Sequence, residues 1–483
     1  NSDCNSELHA KFISLLFFAY LSKNVRALTF LPFKATINGE KVRLNMKYLL
    51  AVDIGATSAR HVLGHRDPKT GEMILEEIYR FKTPLVELPE GHCYWDVHKL
   101  FEEIVTGLKK AKEIGKIPSK VGIDSFGVDY ALLDENDELI DKVISYRDDR
   151  TIEAKKKFLN PETLFERTGI YPHAFNTIYQ LFDDKETGRL KKAKEAMMLP
   201  SYLVYLLTGL KQNEISILST SGLLDSRTNS FEPNLLKELG LTSSFFPNPV
   251  KGGTKIAGFS KQIEKEVGYN ADVYCVLEHD TASAFYGSKT PEGYAYLSSG
   301  TWSLFGAMLH KPIVAKGAFE KSFSNELSRP GEVRFLSNIM GMWVVNRLLM
   351  EMPEVKNVIE AVKLSEASTY SDYFPMADQR LFNPMSMKEA VLTLLKEKGA
   401  KEIEGAGDLF RSVYLSLAHS YKDALLDLEE MTGEKFKGIS IFGGGVQNHF
   451  LDKLVEEIVG RPVYLGPSEA TSLGNLLLME ESD

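Results

Sequence analysis

Asp280 stands in the run Glu278-His279-Asp280-Thr281-Ala282-Ser283-Ala284, where a strand-like segment, Val273 to Leu277, meets a helix of small residues. An aspartate there suits either of two jobs. It can cap the helix N-terminus, or accept the proton of an attacking alcohol in phosphoryl transfer. In the second job the helix dipole is expected to hold it ionised. Two turns, Gly55-Ala56-Thr57-Ser58-Ala59 and Ser298-Ser299-Gly300-Thr301, can aim backbone N–H groups and hydroxyls at a phosphate. Asp53 precedes the first turn and is placed to hold the water shell of a Mg²⁺ that bridges phosphates. A third turn, Gly443-Gly444-Gly445-Val446-Gln447-Asn448, follows the strand-like Ile439 to Phe442 and precedes a helix at His449 to Val459. Strand, glycines, helix is an order that lets backbone approach a flat or phosphorylated ligand closely. It is not the GxGxxG dinucleotide fingerprint, because Asn448 takes the last glycine position and no acidic residue follows at the required distance. No GxxxxGK[ST] loop occurs either, so a nucleotide would be held by another architecture.

These residues sit in a recurring pattern of apolar strand, small-residue turn, second strand. Tyr48 to Ile54 leads through the first turn to Arg60–Leu63. Lys120 to Ile123 leads through Asp124-Ser125-Phe126-Gly127 to Val128–Leu133, and Tyr294 to Leu297 leads through the second turn to Trp302–Phe305. Helical stretches such as Val97 to Gly115 and Asp408 to Met431 alternate with them, which predicts an α/β protein. The Gly55 and Gly300 hairpins read as two versions of one device, one per lobe, facing a shared cleft. A connector near Gly287–Gly293 predicts lobes at 47–289 and 290–483.

The chain has 483 residues, 43% hydrophobic and 25% charged, which is ordinary for a globular protein and long enough for two domains. A net charge of −9 gives no electrostatic footprint for nucleic acid. Cys4, Cys93 and Cys275 stand alone, without the spacing of a disulfide framework or zinc site, and a reducing cytoplasm is the simplest compartment. Phe12 to Leu21 is apolar but falls far short of the roughly 20 residues that cross a bilayer. Residues 1–46 therefore read as an extension outside the catalytic fold, with the functional protein starting near Met46.

With the motifs in this order, the chain resembles the FGGY carbohydrate kinases, most of all the branch that phosphorylates L-rhamnulose at its 1-hydroxyl. The stretches that carry the resemblance include AVDIGATSAR (51–60), WDV (95–97), GIDSFGVDYALLD (122–134), HDTASA (279–284), YLSSGTWSL (296–304), NIMGMW (338–343), FGGGVQN (442–448) and EATSLGN (469–475). The resemblance implies a two-lobed actin-like ATPase (ribonuclease H-like) fold with the active site between the lobes. It also implies ATP as co-substrate, Mg²⁺, a cytoplasmic enzyme acting on a small sugar, and a monomer or small homo-oligomer without nucleic-acid or membrane partners. Residue by residue, it makes Asp280 the base and puts Gly127, His279, Thr281 and Asn338 on the sugar. Ala56, Thr57, Ser58, Ala59, Arg60 and Thr301 would cradle the phosphates, Asn346 and Gly444 would contact the nucleotide, and Asp53 would organise Mg²⁺. Asp124 and Asp129 fall on the sugar side, while Arg147 and Arg150 read equally as a structural ion-pair network. The sequence departs from the family at Ala59 (usually Gly), Phe126 (usually Trp), Asn346 (usually Gln) and Val446 (often Cys). Competing readings are a kinase for L-fuculose, L-ribulose or D-xylulose, a nonenzymatic sugar-responsive relative, and a chaperone-like or filament ATPase. The intact Asp53, Asp280 and hydroxyl turns weigh against the nonenzymatic reading. His279-Asp280-Thr281 and Asn338 weigh against the chaperone-like one.

Overall fold

The computed structural model describes residues 36–37, 40–41 and 46–482 apart from Asn383. The chain divides into two units, 1–46 and 47–483. In the first, Thr36–Ile37 pairs antiparallel with Glu40–Lys41; the apolar run at Phe12–Leu21 lies outside the described residues.

The second unit is built on two six-stranded sheets of matching plan. In the first sheet, β1 (Tyr48–Ile54), β2 (Ser58–Arg66) and β3 (Met73–Lys82) form an antiparallel meander. Helix α1 (Val97–Glu113) then crosses to β4 (Pro118–Ser125), which runs parallel to β1. β5 (Lys255–Gly258) and β6 (Asp272–Tyr274) complete the order β3-β2-β1-β4-β6-β5. Helix α2 (Asp280–Gly287) carries the chain to the second sheet. There β7 (Tyr294–Ser299), β8 (Trp302–Leu309), β9 (Phe323–Leu327) and β10 (Val333–Met340) precede α3 (Ala406–Thr432), which leads to β11 (Gly438–Phe442). Helix α4 (His449–Val459) follows, then β12 (Val463–Leu465), and the order is β9-β10-β8-β7-β11-β12. In both sheets the first strand pairs antiparallel with its hairpin partner and parallel with the strand after the crossover.

Local sequence explains the central elements. Leu49 to Ile54 is buried throughout, as a strand covered on both faces requires. Asp96 caps α1 by accepting the Lys99 N–H, and Leu100, Ile104, Leu108 and Ala111 then bury one face at helical spacing. Helix α3 runs along the second core, where Val413, Leu417, Tyr421 and Leu428 meet Phe305, Phe335 and Ile439. Between β4 and β5 the chain inserts a largely helical layer with its own core around Tyr130, Ile178, Tyr179, Leu218 and Phe246.

The last helix, α5 (Ala470–Glu481), returns from the second sheet to the first. Its Leu476 and Met479 pack with Leu49, Ala51, Val62, Tyr274 and Val276. Helices α2 and α5 cross backbone against backbone. A Cβ on Gly287 would fall 2.0 Å from the Ala470 carbonyl oxygen, and one on Gly474 would fall 2.0 Å from that of Ser283. Only glycine permits this approach. Among the described residues no helix is long and apolar enough to cross a membrane.

Candidate active site

Strand register assembles the acidic centre. Asp53 stands opposite Arg60 on β2 and opposite Asp124 on β4. One residue further on, Ser125 bridges to His279 and donates its N–H to the Glu278 carbonyl at 2.9 Å, which brings Asp280 to the same edge. Arg60 donates from Nε (3.0 Å) and Nη2 (2.8 Å) to Asp53 Oδ2 and pairs with Glu469 on its other side.

His279 is the residue that precedes α2, and Asp280 is its first helical residue, so Asp280 does not serve as the N-cap. Its Oδ1 accepts from the Thr281 N–H (2.5 Å) and hydroxyl (3.1 Å). The dipole does not dominate its ionisation as the sequence suggested. Burial pushes the Asp280 pKa above its ordinary value, His279 opposes this, and the Asp53 charge adds to the rise. Asp124 is pushed well above its usual range by burial, then by Asp53 and Asp280. Asn475 donates to Asp124 Oδ2, while the buried Oδ1 has no partner among the described residues.

On one side of this centre, Gly127 lies against Thr220 and Val128 adopts φ 71°, a costly conformation for a β-branched residue. Three hydrogen bonds hold it: its N–H donates to Thr220 Oγ1, and its carbonyl accepts from Thr177 Oγ1 and Gln180 Nε2. Asp129 is enclosed, accepting from Trp95 Nε1 (2.6 Å), the Tyr146 N–H (3.0 Å) and Gln180 Nε2 (3.1 Å). It ties this turn to the Trp95 indole and the Tyr146 backbone. Phe126 sits between Trp95 and Tyr146, so the absent indole is replaced by aromatic packing. Asn338 lies 3.2 Å from His173 Nε2 through its amide nitrogen, and its buried Oδ1 has no partner among the described residues. His279 Nδ1 meets Arg334. Arg150 is a structural residue, paired with Asp184, Asp183 and Gln180, whereas Arg147 is exposed beside Tyr146.

On the other side each hairpin closes on its glycine, over loops of different length, four residues between the paired Ile54 and Ala59 and three between Ser299 and Ser303. Gly55 donates its N–H to the Ser58 carbonyl and Gly300 to that of Trp302, both at 3.1 Å. Thr57 and Thr301 are exposed at the tips, Ala56 and Ser58 are half-buried, and Ala59 lies in the β2 ladder with its side chain in the first core. Gly443 takes φ 84°, and a Cβ on Gly445 would fall 1.9 Å from Ser299 Oγ. The third turn is thereby pressed onto the second hairpin, while Gly444 faces open space. Asn346 is exposed on the helix Trp343–Glu351, whose start is tied to the same hairpin by the Trp343 N–H donating to the Thr301 carbonyl.

Residues 48–287 match the N-terminal domain, and residues 295–479 the C-terminal domain, of the FGGY family of carbohydrate kinases. The chain belongs to the FGGY family of carbohydrate kinases. It is 36% identical over 438 residues to a protein named rhamnulokinase from Halalkalibacterium halodurans, covering 89% of this chain and 93% of that one. It is also 36% identical over 436 residues to one of the same name from Bacillus subtilis, covering 89% of each. Among solved structures, ligand-bound xylulose kinase from Lactobacillus acidophilus superposes with a TM-score of 0.77 at 17% identity, over 90% of this chain and 89% of that one. The fold is the two-lobed actin-like one that the motifs predict.

For this FGGY kinase, sequence reasoning identified EATSLGN as a motif without giving its residues work. Glu469 binds Arg60, Ser472 Oγ donates to Asp53 Oδ2 at 3.3 Å, and Asn475 binds Asp124. Their spacing of three residues places all three on one helical face, a signal visible as polar residues recurring within an apolar helix. Glu214 was also missed. It is fully buried, and its carboxylate accepts the Glu278 N–H at 3.1 Å just ahead of the proposed base.

The acidic centre also suits a hard cation. Asp53, Asp124 and Asp280 repel one another, and Asp124 offers a buried oxygen with no partner among the described residues. Among the described residues no three acidic or histidine side chains converge as a ready-made cage.

Proposed function

We propose that this enzyme transfers the γ-phosphoryl group of ATP to the 1-hydroxyl of L-rhamnulose, giving L-rhamnulose 1-phosphate and ADP, in L-rhamnose catabolism. The observation that carries the substrate is the match to proteins named rhamnulokinase over about nine-tenths of both chains, at 36% identity. The observation that carries the chemistry is the placement of Asp280, first residue of a helix, beside Asp53 and Asp124.

In this reading the 47–289 lobe holds the sugar and the 290–483 lobe holds the nucleotide. Asp280 accepts the proton of the 1-hydroxyl as its oxygen bonds to the γ-phosphorus and the bond to the ADP oxygen breaks. Gly127, His279, Thr281 and Asn338 orient the ketose. The hairpin tips at Ala56–Ser58 and Thr301 donate to the phosphates, and Gly444 and Asn346 lie along the nucleotide. Ala59 and Arg60 support the first turn, Arg60 by tying Asp53 to Glu469. Asp53 and Asp124 would hold Mg²⁺, which when bound neutralises phosphate charge. Little covalent work is asked of the protein, so positioning and exclusion of water from the cleft carry the rate.

The deciding experiment is ADP release with Mg·ATP and a panel comprising L-rhamnulose, L-fuculose, L-ribulose and D-xylulose. Preference for L-rhamnulose is expected. Preference for another ketose would keep the mechanism and overturn the substrate.

A further inference from the structure

Arg334 of β10 is fully buried, yet it lies at the sugar side of the site and reaches His279 across from the second sheet. Its Nη2 is 3.1 Å from His279 Nδ1, with hydrogen-bond geometry. Glu326 of β9 stands 3.1 Å from the same Nη2 and 3.4 Å from His279 Nδ1. Arg334 also donates to the Leu327 carbonyl at 3.1 Å, which fixes the guanidinium in place. A guanidinium has no acceptor atom. The Arg334 contact is a hydrogen bond only when Nδ1 accepts, which puts the ring proton on Nε2; a proton on Nδ1 would face Glu326 Oε2 instead. His279 Nε2 is the nitrogen turned toward Asp280, 3.5 Å from Oδ1.

We propose that Arg334 and Glu326 are positioning residues for the kinase reaction: Arg334 locks His279 in the Nε2–H form, so that the second lobe supplies the first with a hydrogen-bond donor for a sugar oxygen beside the proposed base. Glu326 is the counter-charge that makes a buried guanidinium tolerable. Burial opposes its ionisation and the Arg334 guanidinium favours it. Asn338 Oδ1 on the same strand, β10, has no hydrogen-bond partner among the described residues and adds a buried acceptor. Donor and acceptor together suit a polyhydroxylated ligand. This inference rests on the sugar-kinase reading and is testable apart from it.

Long-range ¹⁵N–¹H correlation on ¹⁵N-histidine-labelled enzyme reads the tautomer directly in the unmodified protein. A His279 proton on Nε2 alone is expected; a proton on Nδ1, alone or in addition, would overturn the proposal. The kinetic test uses the paired apolar variant Arg334→Met/Glu326→Leu, which leaves no lone buried charge. Its kcat/KM for L-rhamnulose is expected to fall about 10²-fold with the ATP KM unchanged, and adding His279→Ala should then cost little more. A parallel loss in ATP KM, or fully additive losses, would show a merely structural pair. Unmodified enzyme that turns over no sugar while showing the Nε2–H signal would defeat the substrate assignment and leave the histidine assignment standing.

Discussion

Asp53, Asp124 and Asp280 come from three points in the chain, and the Asp53 charge raises the cost of ionising the other two. Under the proposed mechanism, Asp280→Asn should lower kcat by about 10²–10⁴ with little change in ATP affinity, measured by ADP release and nucleotide titration. Retained turnover would remove Asp280 from the base role. A base works deprotonated, and the Asp280 pKa is raised. Activity should therefore fall as pH falls through that raised value, placing the acidic limb of kcat/KM for the sugar above the ordinary aspartate pKa of about 4. A limb at or below that figure would contradict the enclosure described above. Asp280, Asp53 and the three glycine turns were legible because each sits at a strand end with local sequence to mark it. The ionisation of Asp280 was not, since it depends on burial and on Asp53, more than 200 positions away in the sequence. Asn475 was opaque for the same reason, bonding Asp124 across 351 residues.

Elements follow the same division. The hairpins at Gly55 and Gly300, the start of α4 and the length of α3 could be read from small-residue turns and helical periodicity, which are local. The edge strands β5 and β9 and the layer between β4 and β5 could not, because short strands are set by the neighbours they pair with. The α2–α5 crossing belongs to this second kind. Neither Gly287 nor Gly474 has a positive φ, and each is required only by the helix lying across it. Gly474→Ala would place a methyl group 2.0 Å from the Ser283 carbonyl oxygen. It should destabilise the protein by about 3 kcal/mol, seen as a lowered midpoint in thermal or urea unfolding. Gly433→Ala, at a helix end with open space around it but φ 70°, should cost about 1 kcal/mol through backbone strain alone. Equal effects at the two sites would mean that the crossing relaxes.

The molecule as a whole carries buried carboxylates whose protonation is tied to folding. Burial raises Asp129 to about 7, and burial together with Glu214 raises Glu278 to about 8. Both values exceed the unfolded pKa of about 4, so folding favours the protonated forms. The stability they contribute is complete below that value and is lost as pH rises through about 7 and about 8. Urea unfolding across this window should show declining stability, and Glu278→Gln should flatten its upper part. An unchanged slope would contradict the enclosure of Glu278. The two-sheet plan was legible from repeated hairpins and a connector, whereas the return of α5 to the first sheet was not, since only tertiary packing dictates it. That return has a consequence for biosynthesis. On the ribosome, the first sheet emerges with Leu49, Ala51, Val62, Tyr274 and Val276 lacking their cover until Leu476 and Met479 have been made. The same late helix delivers the partners of Arg60, Asp53 and Asp124. The nascent chain therefore leaves this apolar face without that cover until α5 is made, and Ser472 reaches Asp53 from 419 residues further along the chain.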